Sequence, residues 1–209
     1  MTITYAQAKG APLSVSEADG NIADLDERTK LGWIDIVSEL YYRDSPATPI
    51  ATNYKGGLYL PEFTANDTLE AFATFHIPHG YKPGLLYPHV HFVTKSTAGG
   101  VVRIGFEYTW ARRHDSLIGN KKFQNTQFLY IDYTVAEGSD DLHIVAETPE
   151  GVGIDGSGIE VDSVILMRMF REGAHPNDTF AHSIWGICAD LHIQVDRTAT
   201  INRAPNFYA

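Results

Sequence analysis

Apolar and polar residues alternate with a period of two along most of the chain from residue 33 onward. Strict alternation gives a strand one apolar and one polar face, which is typical of antiparallel sheets. In the segment VVRIGFEYTWAR, one face carries Val102, Ile104, Phe106, Tyr108 and Trp110. In SIWGICADLHIQV, one face carries Ser183, Trp185, Ile187, Ala189, Leu191, Ile193 and Val195. The pattern predicts strands at 33–37, 56–60, 69–77, 87–95, 101–112, 124–135, 142–147, 159–170 and 183–195.

Turn-rich segments such as STAGG, EGSDD and EGAHPND separate these strands, and no helical pattern lies between them. Eight or nine strands in this arrangement predict an all-β fold, a jelly-roll-like antiparallel β-sandwich over residues 33–195. The chain has 209 residues, of which 44% are hydrophobic. That length is enough to bury one sizeable core without the help of disulfides or metals.

The two ends of the chain differ from the middle. Residues 1–32 are predicted to form an N-terminal arm with one short helix, because Ser14 and Glu17 have the spacing of a helix capping box. Residues 196–209 are predicted to form a C-terminal arm, since no strand period there is long enough for a core. This arm ends in residues that would serve as anchors at an interface: Pro205, Phe207 and Tyr208.

The charge balance limits the partners of the chain. With 26 acidic and 16 basic residues the formal net charge is −10, which argues against direct nucleic-acid binding. The single Cys188 cannot form an internal disulfide. The N-terminal sequence is not typical of a signal peptide, and no apolar run approaches the roughly 20 residues of a membrane span. We therefore expect a soluble product of the cytoplasm with no membrane partner.

Histidines are concentrated in the segment FHIPHGYKPGLLYPHVHF, which contains His76, His79, His89 and His91. On a strand, His89 and His91 leave the same face with Cα atoms about 7 Å apart, a spacing that lets two imidazoles share one metal as in cupins. No carboxylate follows until Glu107, on the next strand, and a metal site needs three or four ligands. The sequence therefore predicts hydrogen-bonded structural histidines. A cupin-like metal-dependent enzyme remains the alternative if Glu107 joins His89 and His91.

The remaining candidate sites are weaker. GVGIDG, with Gly151, Gly153 and Gly156, runs into a strand pattern and is predicted to be a hairpin loop rather than a dinucleotide site. Three carboxylates offer a possible calcium site: Asp155, Glu160 and Asp162. Asp190 and His192 share a strand face, but Cys188 is about 13 Å from His192 along the strand, too far for a nucleophile and its base. We predict no catalytic, cofactor or metal site, and no enzyme.

Two parts of the chain resemble tailed-bacteriophage virion proteins. The segment GAPLSVSEADGNIADL is similar to one common near the N-termini of such proteins, especially tail-fibre-type ones. Its matching positions are Pro12, Leu13, Glu17, Asp19, Asn21, Ile22 and Leu25. Over residues 33–209, the segments GWIDI, FHIPHGYKPGLLYPHVHF, GGVVRIGFEYTWA and ADLHIQVDRTAT resemble a phage structural family that pairs a PHxHW strand with a terminal DxHxxxD segment.

This resemblance implies a β-sandwich component of the virion. We expect a capsid cement (decoration) protein that forms a homotrimer, contacts the major capsid protein and stabilises the head at the capsid surface. A net charge of −10 suits an outer surface better than one that faces packaged DNA. The alternatives are a neck or tail component and a receptor-binding or glycan-binding module with aromatic residues exposed in a groove.

Overall fold

A computed structural model describes residues 12–29, 32–43, 45–114 and 121–204, with the side chains of residues 23–29 left aside. The described part contains one helix, α1 (Val15–Thr29), and eleven strands. The strands are β1 Trp33–Glu39, β2 Ile50–Lys55, β3 Leu58–Phe63, β4 Thr68–His76, β5 Leu85–Val93, β6 Gly100–Ala111, β7 Gln127–Val135, β8 Ile144–Glu147, β9 Ile154–Asp155, β10 Val164–Glu172 and β11 Ile184–Gln194. Within the described ranges, no helix is both long and apolar enough to cross a membrane.

The strands form two antiparallel sheets. The larger sheet has the order β2-β3-β11-β5-β8, with β1 on β11 and β9 on β5, and the smaller sheet has the order β4-β10-β6-β7. From β3 onward the longer strands follow the order of a jelly roll, in which the last strand, β11, inserts between β3 and β5. The predicted jelly-roll-like β-sandwich is confirmed.

The predicted alternation places the core between the sheets. On β6, the side chains of Val102, Ile104 and Phe106 are fully buried in the core, as the period-two pattern predicts. On β5, Val90 and Phe92 face the same core. The histidines of β5 alternate with these residues and therefore leave the opposite, outer face of the larger sheet.

The predicted alternation of β11 is wrong at its beginning. The pairing of β11 with β5 shifts between Gly186 and Cys188, so that Ile187 is an extra residue and lies exposed. A β-bulge of this kind reverses the faces on one side of it. Ile184 therefore joins the core, whereas the indole N–H of Trp185 donates to Thr52 Oγ1 at 2.8 Å. Downstream of the bulge, Ala189, Leu191 and Ile193 are buried in the core as predicted, with Asp190 and His192 on the outer face.

The predicted helix in the N-terminal segment is confirmed. The capping box is formed by Ser14 and Glu17, because the Ser14 N–H donates to Glu17 Oε2 at 2.8 Å and the Glu17 N–H donates to Ser14 Oγ at 3.3 Å. The chain divides into two units, Met1–Gly32 and Trp33–Ala209.

Two short strands were not predicted, β2 and β9. β9 lies inside the GVGIDG segment and pairs with Leu85 and Leu86. The glycines permit this close approach, because a Cβ on Gly153 would lie 2.6 Å from the carbonyl oxygen of Leu86. No helix follows the segment, which continues to β10. The segment therefore contains a short strand in addition to the predicted loop, and it lacks the following helix N-terminus that a dinucleotide site requires.

The C-terminal arm begins against the sandwich. The Asp196 N–H donates to the carbonyl oxygen of Gly80 at 3.2 Å, and Thr200 Oγ1 contacts His79 Nδ1. The predicted anchors Pro205, Phe207 and Tyr208 lie outside the described residues.

Candidate functional site: a histidine and carboxylate cluster on the larger sheet

Three neighbouring strands bring ionisable side chains together on the outer face of the larger sheet. His89 lies on β5 directly across from Asp190 on β11, and His192 on β11 lies across from Asp35 on β1. His91 is two residues beyond His89 and leaves the same face. We call these five residues the β5–β11 cluster: Asp35, His89, His91, Asp190 and His192.

One carboxylate oxygen lies between two imidazoles of the cluster. Asp190 Oδ2 is 3.3 Å from His91 Nε2 and 3.7 Å from His89 Nε2. The ring centroids of the two histidines are 5.1 Å apart. Three donor atoms from two strands therefore converge on one point of the sheet surface.

His192 is held by carboxylates on both sides. Its Nε2 is 2.5 Å from Asp35 Oδ1, and its Nδ1 contacts Glu147 Oε1 on β8. Asp35 Oδ1 is also 3.9 Å from His89 Nε2. His89 therefore faces a second group of donors, Asp35 and His192, next to the first.

The centre of the cluster is shielded from water. His89 is 2% exposed and Asp190 is 4% exposed. Burial, above all, lowers the pKa of His89, and His192 lowers it further, against the opposing charge of Asp190. Three buried atoms of the cluster have no well-aligned hydrogen-bond partner among the described residues: His89 Nδ1, His91 Nε2 and Asp190 Oδ1. Such atoms are costly unless something compensates them.

The sequence identified four members of this cluster but did not predict that they lie in contact. His89 with His91, and Asp190 with His192, were each predicted to share a strand face. The sequence near His89 and His91 offers no third donor. The fold nevertheless brings Asp190 beside them, from a strand about 100 residues later in the sequence. Asp35, Glu147 and His143, whose Nε2 lies 2.7 Å from His91 Nδ1, were missed, since no local spacing in the sequence connects them to the cluster.

The cupin-like arrangement with Glu107 is not formed. Glu107 lies on β6 in the smaller sheet, where its Oε2 is 2.9 Å from Arg168 Nε. The sequence placed Glu107 on the next strand after the histidines, but in a jelly roll that strand belongs to the other sheet.

Cys188 lies beside the cluster. Burial raises the pKa of its thiol to about 12, with further contributions from the hydrogen bond and the charge of Asp190. A thiol that stays protonated is a poor nucleophile. The raised pKa of this thiol therefore gives no support for Cys188 as a catalytic nucleophile.

A second group surrounds Asp162, which is 5% exposed and has a positive φ of 64°. His114 Nε2 lies 2.7 Å from its Oδ2, and His79 Nε2 lies 3.1 Å from its Oδ1. His76 Nε2 and Arg113 Nη1 are each 3.4 Å from the carboxylate. Calcium binding by Asp155, Glu160 and Asp162 is not supported, because Asp162 faces histidines and an arginine while Asp155 accepts from the N–H of Ser157.

Stability should depend on pH through Asp162. Burial alone would raise the pKa of this carboxyl, but the hydrogen bond from His114 and the charges of His79, His76 and Arg113 hold the pKa below its usual value. A lowered pKa stabilises the fold above the unfolded-state pKa of about 3.9, and the contribution is lost as the pH falls through the folded-state value.

We therefore expect the urea midpoint of the unmodified chain to exceed that of Asp162→Asn at pH 6, and the difference to shrink at pH 3. Asparagine is a matched replacement, since it tolerates the left-handed conformation. A difference of equal size at both pH values would contradict this role of the Asp162 charge.

An open cleft of about 420 Å³ lies beside the β5–β11 cluster. Trp33 and Tyr87 line it with their rings edge to face and their centroids 5.5 Å apart. Its other lining residues are Glu147, Thr148, Glu150 and His192. The cleft therefore connects bulk solvent with the His192 side of the cluster.

Comparison with known proteins gives no family. No protein-family model matches the chain, and no curated protein matches it. Among solved structures, the chain is similar to a Clostridium thermocellum endo-1,4-β-D-xylanase 10B containing CBM22-1 and GH10 modules, complexed with xylohexaose. The identity is 10% and the TM-score 0.32, over 83% of this chain and 28% of that chain. It is also similar to TmCBM61 in complex with β-1,4-galactotriose, at 10% identity and TM-score 0.25, over 81% of this chain and 89% of that one.

Proposed function

We propose that the chain is a non-enzymatic structural protein of a tailed-bacteriophage virion, a capsid cement protein that self-associates as a homotrimer and binds the major capsid protein at the capsid surface. The proposal rests on one observation: three motif segments that are separate in the sequence contribute side chains to a single cluster. Asp35 of GWIDI, His89 and His91 of PHVHF, and Asp190 with His192 of ADLHIQV contribute all five residues of the β5–β11 cluster.

This convergence supports the resemblance to the phage structural family. The three segments are far apart in the sequence, and chance matches would have no reason to lie on adjacent strands with their polar side chains in contact. A common structural unit explains why a strand with two histidines and a terminal segment with Asp190 and His192 occur together.

The burial of the cluster supports a role without catalysis. His89 is 2% and Asp190 4% exposed, so that neither side chain offers a surface on which an organic substrate could bind directly. The protonated thiol of Cys188 offers no nucleophile at neutral pH.

Exposed apolar side chains at the sheet edges support self-association. On β1, Trp33 is 51% and Val37 62% exposed, and on the β2–β3 hairpin Ile50, Leu58 and Tyr59 are exposed as well. Edge strands carry backbone groups that another chain can pair with. Burial of apolar surface is worth about 25 cal/mol per Å², which favours association through these edges.

The purified chain should be a homotrimer, and deletion of residues 197–209 should lower the mass measured by light scattering. The reason is that Phe207 and Tyr208 would each bury roughly 150–250 Å² in an interface. Because the deletion also removes Thr200, which contacts His79, a variant with Phe207→Ser and Tyr208→Ser should give the same loss of mass.

The matched control for this experiment is Arg203→Ser, which changes an exposed residue of the same arm and should leave the mass unchanged. A monodisperse monomer from the intact chain would contradict the proposed self-association. An unchanged trimer in both C-terminal variants would assign the interface to the sheet edges instead of the arm.

A receptor-binding module is the second candidate, because the cleft exposes the aromatic pair Trp33 and Tyr87 beside carboxylates. In this alternative Trp33 stays exposed in the oligomer and its replacement by Ala abolishes adsorption to a glycan or host surface. In the cement role, the same variant weakens self-association or shell binding.

A further inference from the structure

We propose that His89, His91 and Asp190 bind one divalent transition-metal ion on the outer face of the larger sheet, with Asp35 and His192 completing or closing the site. This replaces the expectation that the histidines are only hydrogen-bonded. The inference is independent of the role in the particle, and it concerns the isolated chain.

The spacing of the three donor atoms fits a metal ion. Two ligands at about 2.0–2.1 Å from a tetrahedral metal lie roughly 3.3 Å from each other. Asp190 Oδ2 is 3.3 Å from His91 Nε2 and 3.7 Å from His89 Nε2. One donor atom from each of His89, His91 and Asp190 lies within 4.8 Å of the other two, close enough for small side-chain adjustments to bring all three onto one ion.

The burial of the donor atoms is an independent reason to expect a bound metal ion. His91 Nε2 and Asp190 Oδ1 are buried without a well-aligned hydrogen bond among the residues that the structure describes. Asp190 is 96% buried, and its carboxylate faces imidazole nitrogens rather than a Lys or Arg in the described structure. A cation bound by Asp190 Oδ2 and His91 Nε2 would compensate the charge of the buried carboxylate and the unpartnered imidazole nitrogen at once.

Neighbouring side chains orient the ligands as outer partners do in metal sites. His91 Nδ1 is 2.7 Å from His143 Nε2, which directs the other ring nitrogen of His91 towards Asp190. His192 Nδ1 contacts Glu147, which fixes the orientation of the ring. His192 Nε2 is thereby directed at Asp35, on the side where the proposed metal ion would lie. Carboxylate and imidazole partners of this kind typically raise metal affinity 10–100-fold.

The chemistry of the donors selects the class of ion. Two imidazoles and one carboxylate suit Zn²⁺ and its neighbours in the first transition row, whereas Ca²⁺ and Mg²⁺ prefer oxygen ligands alone. Asp35 is half-exposed and borders the His192 side of the site, so that it or a water molecule can occupy a further position. The ion would join β5 and β11 at the centre of the sheet and thereby stabilise it.

The test uses the full-length chain, stripped with a chelator and then titrated with Zn²⁺ by calorimetry, with bound metal counted by mass spectrometry. We expect one ion per chain and a higher Tm with Zn²⁺. His89→Gln with His91→Gln should abolish binding, and Asp190→Asn should weaken it at least about 100-fold. His143→Ala, which removes only the orienting partner of the ligand His91, should weaken it about 10–100-fold.

The matched control is His76→Gln with His79→Gln, which removes two histidines from the group around Asp162 and should keep the stoichiometry of one. If the ligand variants do not fold, Co²⁺ added to the unmodified chain gives a second measurement, since four- or five-coordinate Co²⁺ with histidine ligands has visible d–d bands far more intense than those of the hydrated ion. No bound ion in the unmodified chain, undiminished binding in the folded double variant, or bound Co²⁺ with bands no stronger than those of the hydrated ion would overturn the proposal.

Discussion

Replacing Arg171 with methionine is expected to lower the free energy of unfolding by about 3–5 kcal/mol, because it leaves a buried carboxylate without its partner. Arg171 on β10 is 0% exposed and donates to both oxygens of Asp178 at 2.8–2.9 Å. It also donates to three backbone carbonyl oxygens, those of Phe63, Phe180 and His182. One side chain thus joins the end of β3, β10 and the segment before β11.

Urea denaturation followed by circular dichroism measures this effect. Arg197→Met is the matched control, because Arg197 and Asp196 form a partly exposed pair and such pairs are worth about 1 kcal/mol or less. Asp178→Asn added to Arg171→Met should recover part of the loss, since it removes the orphaned charge. A loss in Arg171→Met no larger than in the control would mean that the buried pair contributes little to the fold.

Particles made without this protein are expected to have shells of normal size that lose their DNA. A cement protein adds contacts across capsomers that are already assembled, and many weak contacts together give strong binding by avidity. The loss should be seen as DNA released at a lower temperature, or on dilution from magnesium, than from complete particles. Adding back the purified chain should restore retention, whereas the Phe207→Ser, Tyr208→Ser variant should restore it less.

Two other results for particles made without the protein would assign it a different role or position in the virion. If no shell forms without the protein, it builds the lattice rather than reinforcing it. If the heads are sound but tails are missing, it belongs to the neck or tail. Either result would contradict the cement role while leaving the metal-site experiment on the isolated chain unaffected.

The period-two pattern was sufficient to predict the sandwich, because each strand buries one face and the pattern records which one. Val102, Ile104 and Phe106 are in the core as predicted. The pattern fails where a strand gains a residue, as at Ile187 in β11, since a bulge leaves the composition unchanged and reverses the faces before it. Short strands such as β9 have too few residues to show a period.

The sequence predicted which side chains of the site share a strand face, but it did not predict which strands bring those side chains together. Local spacing placed His89 with His91, and Asp190 with His192, because neighbours two residues apart share a face of a strand. Which strands lie side by side is decided by the topology of the whole chain, and the jelly roll inserts β11 beside β5. The contact of Asp190 with both histidines is therefore a property of the fold, for which the sequence near His89 carries no signal.

The position of this chain in an intact particle tests the cement role most directly, and cryo-electron microscopy of the complete virion measures it. We expect threefold groups of the sandwich on the outer surface of the capsid, in contact with the major capsid protein. Density for the sandwich in the neck or tail, or on the inner surface of the shell, would contradict that role.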